Sequence, residues 1–339
     1  MPATFEIDEN RRTPKYMQIA NSITKAIKQG KYKKGDRIFS INKLSNEFCL
    51  SRDTVQKAYD LLEKDKIIEA VRGKGFYIHR TDIIVPYRVL LVFNKISNYK
   101  KQIYDTFIST LGKKASVDLK IHHSNYKLLE EIIHTGLGEY DYYVVMPHFY
   151  DRAEEAYELL NEIPREQLIV LDKDIPYNTG EYTAVYQDFE NDIIDALETG
   201  LDTLGKYNKL IYVHPQIVPH PVEIINGFKN FCMQNNFAYQ VVNEIKPCID
   251  IHPRQAYIVI QETDLVNLIK CCRAKNLEVG KDVGIISYNE TPLKEILLDG
   301  ITTLSTDHSK MGETAARLIL ENKKEKIKNP FTLIKRKSL

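Results

Sequence analysis

Two short amphipathic segments follow each other near the start of the chain. In residues 40–48 the apolar side chains of Leu44 and Phe48 are four positions apart, so they share one face of a predicted helix. Ser51 is placed to cap a second helix, whose inward face carries four further apolar or aromatic side chains at helical spacing. These are Val55, Ala58, Tyr59 and Leu62. The pattern predicts two packed helices joined by a turn.

The outer side of the second helix remains free for a partner. It carries Arg52, Asp53 and Gln56 close to the helix start, where a helix in the major groove of DNA usually meets the base edges. Ser51 and Thr54 could add hydrogen bonds to phosphates. The pattern therefore favours duplex DNA as a partner.

A predicted hairpin comes directly after these helices. Residues 66–71 and 75–79 have the composition of two short strands, and Arg72, Gly73 and Lys74 lie in the tight turn between them. A basic hairpin tip suits a phosphate or a minor groove. The order of the elements predicts a winged helix-turn-helix.

Downstream, short apolar segments alternate with longer segments of helical periodicity. This alternation is typical of parallel sheets with helical crossovers, and it occurs twice, which predicts an α/β fold with two doubly wound lobes. Predicted strands span residues 88–93, 120–122, 142–146, 168–171, 209–214, 239–242, 256–260 and 284–287. Predicted helices span residues 101–114, 126–135, 190–204, 224–235, 264–275 and 309–322. Ligands of such sheets bind beyond the carboxyl ends of the strands, so the loops there are the first candidates for a site.

Charge divides the chain in the same place as the pattern does. Residues 1–80 contain 17 Lys and Arg against 10 Asp and Glu, a net charge of +7, whereas the remaining residues contain 30 against 36, a net charge of −6. A basic head neutralises phosphates and makes DNA affinity depend on salt. For five lysines of the head a solvated surface is an equally good interpretation: Lys25, Lys28, Lys31, Lys33 and Lys34.

The head resembles the winged helix of GntR-family bacterial regulators. The matching positions are Pro14, Tyr16, Gln18, Ile19, Gly30, Gly35, Asp36, Arg37, Ser40, Leu44, Ser51 to Val55, Ala58, Leu62 and Gly73 to Gly75. One departure is Phe39, where the family usually has proline, so a rigid entry to the first of the two helices is lost. The resemblance implies these DNA-contacting residues: Arg37, Ser40, Ser51, Arg52, Asp53, Thr54, Gln56, Arg72, Gly73 and Lys74.

From about residue 88 to its last residue, the chain resembles the sugar-binding domain of LacI-type repressors, which is related to periplasmic binding proteins. The similar stretches are Asp188-Phe189, Leu204-Gly205, Gly227-Phe228, residues 282–289, residues 301–304, Met311-Gly312 and a final strand at 333–338. A GntR head on a LacI-like body is the architecture of arabinose-repressor-type regulators. We therefore expect a DNA-binding domain at 1–80, a linker at 81–87 and a two-lobed effector domain at 88–339.

The second resemblance implies a set of ligand contacts in the matching loops. These are Ser97, Asn98, Tyr99, His148, Asp172, Lys173, Asp188, Phe189, Asp264, Asn289 and Glu290. Carboxylates and amides suit sugar hydroxyls, and an aromatic ring can lie on a pyranose face. Two positions depart from the family, since Asn289 stands where Asp is common and Ile224 where many members have a ligand-binding Arg; His220 or Glu223 could replace that Arg.

Several of these residues also have a purely structural interpretation. Asp188 could cap a helix, Phe189 could belong to the core, and residues 323–328 read as a solvated, charged turn. The adjacent His122 and His123 point to opposite faces of a strand and, with His148, lack a carboxylate motif, so no metal is expected. Five cysteines without a CxxC pair indicate buried thiols more than a disulfide framework or a zinc site.

The expected protein is a sequence-specific transcription regulator with no cofactor. We expect double-stranded operator DNA, a monosaccharide or sugar-phosphate effector, and a second copy of the chain as partners, with a pentose or 6-deoxyhexose such as L-arabinose or L-fucose first among effectors. The direction of control stays open. No P-loop, GxSxG, HExxH or GxGxxG motif supports an enzyme. Without a signal peptide or a long apolar segment, a transport binding protein is disfavoured and a cytoplasmic protein without membrane contact is expected.

Overall fold

The chain divides into two compact units. The computed structural model describes residue 7 and residues 13–28, 30–82, 86–149, 151–175, 182–215, 220–247 and 249–339. One unit comprises Met1–Arg88 with Lys113–Ser116 and Gly136–Asp141, and the other comprises the remaining residues. The predicted boundaries at residues 80 and 88 stay a prediction, and residues 83–85 of the predicted linker lie outside the described residues.

The first unit contains the predicted winged helix. Its elements are α1 (Lys15–Lys28), α2 (Ile41–Glu47), α3 (Arg52–Lys64), β1 (Ile68–Val71) and β2 (Gly75–Ile78). The two strands pair antiparallel with Ile68 opposite Ile78. Helix α1 was not predicted, although Ile19, Ile23 and Ile27 fall on one of its faces and are buried. The core of this unit forms where α1, α2 and α3 bury these apolar faces together.

Serine side chains cap both helices of the helix-turn-helix, and of these two caps only the one at Ser51 was predicted. Ser40 accepts a hydrogen bond from the backbone N–H of Lys43, and Ser51 accepts one from that of Thr54. At Phe39, where the family usually has proline, the backbone carbonyl accepts a 2.6 Å hydrogen bond from the hydroxyl of Tyr59. A tertiary hydrogen bond thus holds the entry to α2 in place of a rigid ring.

The second unit has the predicted two-lobed α/β fold. Its strands are β3 (Tyr87–Phe93), β4 (Ala115–Ile121), β5 (Tyr142–Val145), β6 (Leu168–Lys173), β7 (Thr183–Gln187), β8 (Lys209–Val213), β9 (Ala238–Val242), β10 (Gln255–Val259), β11 (Val283–Tyr288), β12 (Thr302–Thr306), β13 (Lys326–Lys328) and β14 (Phe331–Ile334). Its helices are α4 (Asn98–Leu111), α5 (Tyr126–Gly136), α6 (Ala153–Leu160), α7 (Phe189–Glu198), α8 (Leu201–Leu204), α9 (Glu223–Gln234), α10 (Glu262–Ala274), α11 (Pro292–Ile296) and α12 (His308–Glu321).

Strand order places the important loops of each lobe side by side. The first sheet has the order β13-β7-β6-β5-β3-β4 and the second the order β14-β12-β11-β10-β8-β9. In the first lobe the order reverses between β3 and β5, and in the second between β8 and β10. A crevice opens at such a switch point because the two connections leave toward opposite faces of the sheet. The loops after β3, β5, β8 and β10 are therefore the ones that can enclose a ligand.

The chain passes between the lobes three times. It enters the second sheet after β7, returns after β12 through α12 to β13, and crosses again to β14. Asn329 ties these crossings together, because its side chain donates to Thr306 Oγ1 at 2.7 Å and its backbone N–H donates to the Tyr186 carbonyl at 2.7 Å. Relative motion of the lobes would therefore have to occur around this short hydrogen-bonded region.

Some elements differ from the sequence prediction. Helix α6 and strands β7 and β12 were not predicted, and the final strand lies at Phe331–Ile334 instead of residues 333–338. The charged turn predicted at 323–328 was wrong for its second half, because Lys326–Lys328 forms β13 and pairs with β7. Lys328 Nζ lies 2.9 Å from the buried carboxylate of Asp192, and this ion pair gives the basic segment an internal partner.

Within the described part of the chain, no helix is both long enough and apolar enough to cross a membrane.

Candidate nucleic-acid interface and ligand pocket

Helix α3 presents a polar face that the rest of its unit leaves exposed. Val55, Ala58, Tyr59 and Leu62 are buried, whereas Arg52, Asp53 and Gln56 are exposed. The exposed side chains begin one position after the capping serine, so they sit on the first two turns of the helix. Gln56 Nε2 donates to Asp60 Oδ1 at 2.7 Å, which orients its amide along the helix surface. This is the geometry that a helix needs to offer side chains to base edges.

The turn between β1 and β2 carries two exposed cations. Gly73 has φ +76° and Gly75 has φ +108°, values that favour glycine, and the N–H of Lys74 donates to the carbonyl of Val71 at 2.9 Å. Arg72 and Lys74 are exposed on this turn. A β-carbon at Gly75 would approach the Arg37 Nε to 3.3 Å, so the missing side chain leaves room for that guanidinium. Three of the predicted basic residues thus belong to the wing or lie against it.

A cavity of about 400 Å³ lies between the two lobes, within the size range of small-molecule sites. Its walls come from the loops after β3, β8 and β10, as the strand order indicates, and from the segment after β11, whereas the loop after β5 does not contribute among the described residues. The lining residues are Lys95, Ser97, Asn98, Tyr99, His220, Ile260, Gln261, Glu262, Tyr288, Asn289, Thr291 and Lys294. The mixture of aromatic, amide, hydroxyl and charged groups suits a small polar ligand.

The carboxyl edge of the first sheet holds a buried polar network. Asp172, at the end of β6, accepts from His148 Nε2 at 2.9 Å and from the amide of Gln187, and lies 3.5 Å from Lys100 Nζ. Lys100 also donates to Asn94 Oδ1 at 2.6 Å. Burial lowers the pKa of Lys100 while Asp172 opposes this, and Lys100 and His148 together hold the pKa of Asp172 well below its usual range. The network carries a balanced pair of buried charges.

Histidines near the cavity are uncharged at neutral pH. Burial lowers the pKa of His220 to about 3, with Lys95 acting in the same direction, and lowers the pKa of His308 to about 4. His308 packs against Tyr99 in a tilted arrangement with ring centroids 5.0 Å apart. These rings can therefore exchange hydrogen bonds or pack against a ligand, but they supply no charge.

The second lobe contributes a buried lysine and two buried hydroxyl groups to the surroundings of the cavity. Lys294, which is 3% exposed, donates from Nζ to the carbonyls of Tyr288 at 2.9 Å and Asn289 at 2.7 Å. Burial lowers the pKa of this lysine to about 8, so it remains protonated at pH 7. The hydroxyls of Tyr288 and Thr291 are buried and have no hydrogen-bond partner among the described residues. Unsatisfied buried hydroxyls beside a cavity are what a hydroxyl-rich ligand would satisfy.

Comparison with known proteins accounts for both units. Residues 15–78 match the family described as bacterial regulatory proteins, gntR family, and residues 188–339 match the periplasmic binding protein-like domain. The HTH-type transcriptional repressor YtrA of Bacillus subtilis (strain 168) is 30% identical over 132 residues, covering 39% of this chain and 96% of that protein. The chain belongs to the GntR family of bacterial regulatory proteins.

Other similarities to this GntR-family chain are partial. The arabinose metabolism transcriptional repressor of Geobacillus stearothermophilus is 32% identical over 72 residues, which cover 21% of this chain and 20% of that protein. The chain spans 38% and 27% of the length of two further regulators that it matches. The structure of the Lac repressor dimer bound to operator and the anti-inducer ONPF superposes with a TM-score of 0.59 at 15% identity, over 75% of this chain and 94% of that one. This last likeness shows the fold.

The predicted ligand residues of the GntR-family chain separate into three groups. Ser97, Asn98, Tyr99 and Asn289 line the cavity. His148 and Asp172 belong to the buried network, and Phe189 lies against His148 with ring centroids 6.3 Å apart.

The remaining four predicted ligand residues make other contacts. Asp188 caps α7 and Asp264 accepts from the backbone N–H of Ile245 at 2.7 Å. Glu290 is held by Arg336 Nη1 at 2.7 Å, and Lys173 lies 3.6 Å from Glu223 across the two lobes. Among the described residues none of these four lines the cavity, so their role in ligand binding stays a prediction.

Sequence reasoning missed several lining residues. Ile260, Gln261 and Glu262 directly follow β10, and their loop had been singled out by strand order, so position after a strand was an available signal. Thr291 and Lys294 lie farther along the loop and helix after β11, where no local pattern marks them. In the described part of the chain, no group of three or more His, Cys, Asp or Glu side chains could hold a metal ion.

Proposed function

We propose that this protein is a transcription regulator whose affinity for operator DNA is controlled by a small carbohydrate bound between the lobes of its second unit. One observation carries the proposal: the same chain has an exposed recognition helix beside a basic wing and a polar cavity of about 400 Å³ built from two lobes. Its relatives include regulators of sugar metabolism by name, and a Lac repressor structure shares the fold. A regulator of sugar-utilisation genes accounts for both features.

In this proposal α3 enters the major groove. Arg52 and Gln56 read base edges, since guanidinium and amide groups can make paired hydrogen bonds to guanine and adenine respectively. Arg72 and Lys74 on the wing bind phosphates, as does Arg37 beside it. The exposure of these side chains and the capped start of α3 support the assignment.

The effector lies in the cavity between the lobes. Tyr99 offers an aromatic face, Ser97 and the two amides of Asn98 and Asn289 offer hydrogen bonds, and the free hydroxyls of Tyr288 and Thr291 complete a polyol site. L-arabinose and L-fucose are the first sugars to test for binding, because Ile224 stands where many LacI-like domains have an arginine.

Control follows from binding energy that differs between two states. A ligand contacting both lobes favours their closed arrangement, and only this difference in affinity can change DNA binding. Two copies of the chain would place two recognition helices on successive half-sites of a pseudo-palindromic operator. The Lac repressor dimer on its operator is a precedent for this arrangement.

The test of the DNA assignment uses duplexes selected from a random pool by the full-length protein. Arg52→Ala should weaken gel-shift affinity by about tenfold to a hundredfold, the value of a lost paired contact to a base. Arg317→Ala removes an exposed arginine from the second unit and serves as the matched control. Equal affinity of the Arg52→Ala and wild-type proteins would contradict the placement of α3 in the groove.

A further inference from the structure

The cavity is richer in positive charge than the sequence indicated. Ile224, which stands where many relatives have an arginine, is 2% exposed and belongs to the core of the second lobe. Two lysines from other positions, Lys95 and Lys294, nevertheless line the cavity, against one carboxylate, the exposed Glu262. A lost cation at one position is thus offset by cations that come from each lobe.

The side chain of Lys294 is buried in the cavity wall and does not lie on the protein surface. The residue is 3% exposed, and its ammonium donates two hydrogen bonds to carbonyls of cavity-lining residues. An ammonium has three donors, so one remains for a ligand. Its pKa of about 8 keeps the charge in place at neutral pH. Keeping a buried charge has a cost in desolvation that an anionic ligand would offset.

Lys95 is the second cation and comes from the opposite lobe. Its Nζ lies 6.0 Å from the ring centroid of Tyr99, and in the described part of the chain no carboxylate pairs with it. Helix α4 starts at the same wall with its capping Ser97 and has no acidic residue in its first turn. The positive end of that helix therefore adds to the charge of Lys95.

The carboxylates near the cavity are already engaged by other groups. Asp172 is bound by Lys100, His148 and Gln187. Glu290 is held by Arg336 and by the hydroxyl of Thr303. With these charges balanced, Lys95 and Lys294 leave the cavity with a positive excess that the exposed Glu262 offsets only in part.

We infer that the effector is an anionic carbohydrate, with a carboxylate or phosphate held by Lys95 and Lys294 and its hydroxyls bound by Tyr288 and Thr291. This inference rests on the proposed function and names the chemical class of its effector. Charge-assisted hydrogen bonds are about twice as strong as neutral ones, so the anionic group supplies a large share of the affinity. A neutral analogue of the same sugar should bind with an affinity that is lower by a factor of about ten or more.

The first test measures the thermal unfolding of the full-length protein in increasing sodium phosphate, with sodium chloride at matched ionic strength as reference. Phosphate stabilises most proteins through exclusion from their surface, so the variants decide the outcome. We expect a saturating rise in Tm for wild type and for Lys209→Met, whose lysine starts β8 and lies outside the cavity lining, and its loss in Lys95→Met. Equal rises in all three proteins would overturn the inference.

The second test compares matched sugars. D-glucuronate and D-glucose 6-phosphate should each be bound more tightly than D-glucose. This preference for the anionic sugars should fall about tenfold in Lys95→Met. Whichever of the two anionic sugars binds more tightly identifies a carboxylate or a phosphate ester as the source of the charge. Lys294→Met should show the same loss of preference for the anionic sugars. If Lys294→Met does not fold, the result for Lys95→Met alone decides the charge assignment. D-glucose binding as tightly as both anions would overturn the charge assignment while leaving the proposed function intact. A wild-type protein that selects no duplex would instead contradict the proposed function.

Discussion

At the scale of single residues, the buried charges of the second unit limit which substitutions it can accept without losing stability. Lys100 and Asp172 are both nearly inaccessible to water, and each is stabilised by the other and by neutral neighbours. Asp172 has φ +76°, an unfavourable backbone conformation for a residue with a side chain. Removing one partner of such a pair leaves an uncompensated charge, which costs far more than the pair contributes. The position of Asp172 is therefore set by its partners.

His122 gives a prediction for the pH dependence of stability. It is fully buried, its Nε2–H donates to the Met146 carbonyl at 3.0 Å, and burial lowers its pKa to about 4. The unfolded chain then binds more protons than the folded chain between about pH 6.5 and 4, so the free energy of unfolding falls as pH decreases through that window. The loss between pH 7 and pH 5 should be about 2 kcal/mol from this residue.

His122→Gln should remove that part of the pH dependence, because glutamine is neutral and can still donate to a carbonyl. The measurement is urea unfolding of both proteins at pH 7 and pH 5. His252→Gln, at an exposed histidine, is the control and should keep the wild-type difference between the two pH values. The assignment fails if His122→Gln loses as much stability on acidification as wild type.

At the scale of elements, two glycines permit helices to cross closely. A β-carbon at Gly227 in α9 would lie 2.3 Å from the Glu190 carbonyl oxygen in α7, and one at Gly312 in α12 would lie 2.3 Å from the Ile103 carbonyl oxygen in α4. Both glycines belong to the stretches that resemble LacI-type repressors. At these two positions the sequence similarity thus reflects glycines that allow the backbones of two helices to come into contact.

Gly227→Ala should destabilise the second unit by about 1–3 kcal/mol or more, because α7 and α9 would have to separate. Gly205→Ala is the matched control, since that glycine has φ −59° and its added β-carbon would meet its nearest neighbour, the Leu201 carbonyl oxygen, at 3.4 Å. The control should change stability little or raise it. Denaturant midpoints measure both, and equal midpoints would show that the helix crossing can relax.

At the scale of the whole molecule, the proposed regulator requires a second copy of the chain. Leu293 and Ile296, one turn apart on α11, are 60% and 74% exposed. Large apolar side chains grouped on one exposed helix are typical of surfaces that another protein covers. We propose α11 as one contact of the homodimer, and two variants test this placement.

Ile296→Glu should weaken self-association, because it introduces a charge where the partner would exclude water. Light scattering after size exclusion should show a mass that falls from twice 39.3 kDa toward 39.3 kDa. DNA affinity should fall with it, since one head would bind a half-site alone. Met233→Glu, at a methionine of α9 that is 58% exposed, should remain a dimer. A wild-type protein that is monomeric at micromolar concentration would contradict the homodimer.

Prediction from sequence succeeded where periodicity and capping are strong. The faces of α2 and α3 and the capping role of Ser51 were predicted correctly, because local hydrogen bonds and burial agree there. Helix α6 and strands β7 and β12 were not recognised. Strands such as β12 are buried on both faces, here as a run of Thr and Ser, which conceals the alternation that marks a strand.

The lining of the cavity was predicted only in part. Residues in the loops that follow strands, such as Ser97 after β3 and Asn289 after β11, could be found from the pattern because strand ends point to one edge. Asp264 and Glu290 occupy similar positions in sequence. In the folded chain, however, the carboxylate of Asp264 accepts a hydrogen bond from a backbone amide and that of Glu290 accepts one from an arginine. Sequence spacing alone cannot distinguish these outcomes, because the partners lie 19 and 46 positions away.

The sequence by itself determined the winged head and the two-lobed α/β class, since these depend on local periodicity, capping and short connections. Only the tertiary structure decided which polar side chains face the cavity. Lys95 follows β3 of the first sheet and Lys294 lies on α11 after β11 of the second sheet, so they face the same cavity only after both lobes have formed. The charge of the site is thus a property of long-range packing, which no local pattern encodes.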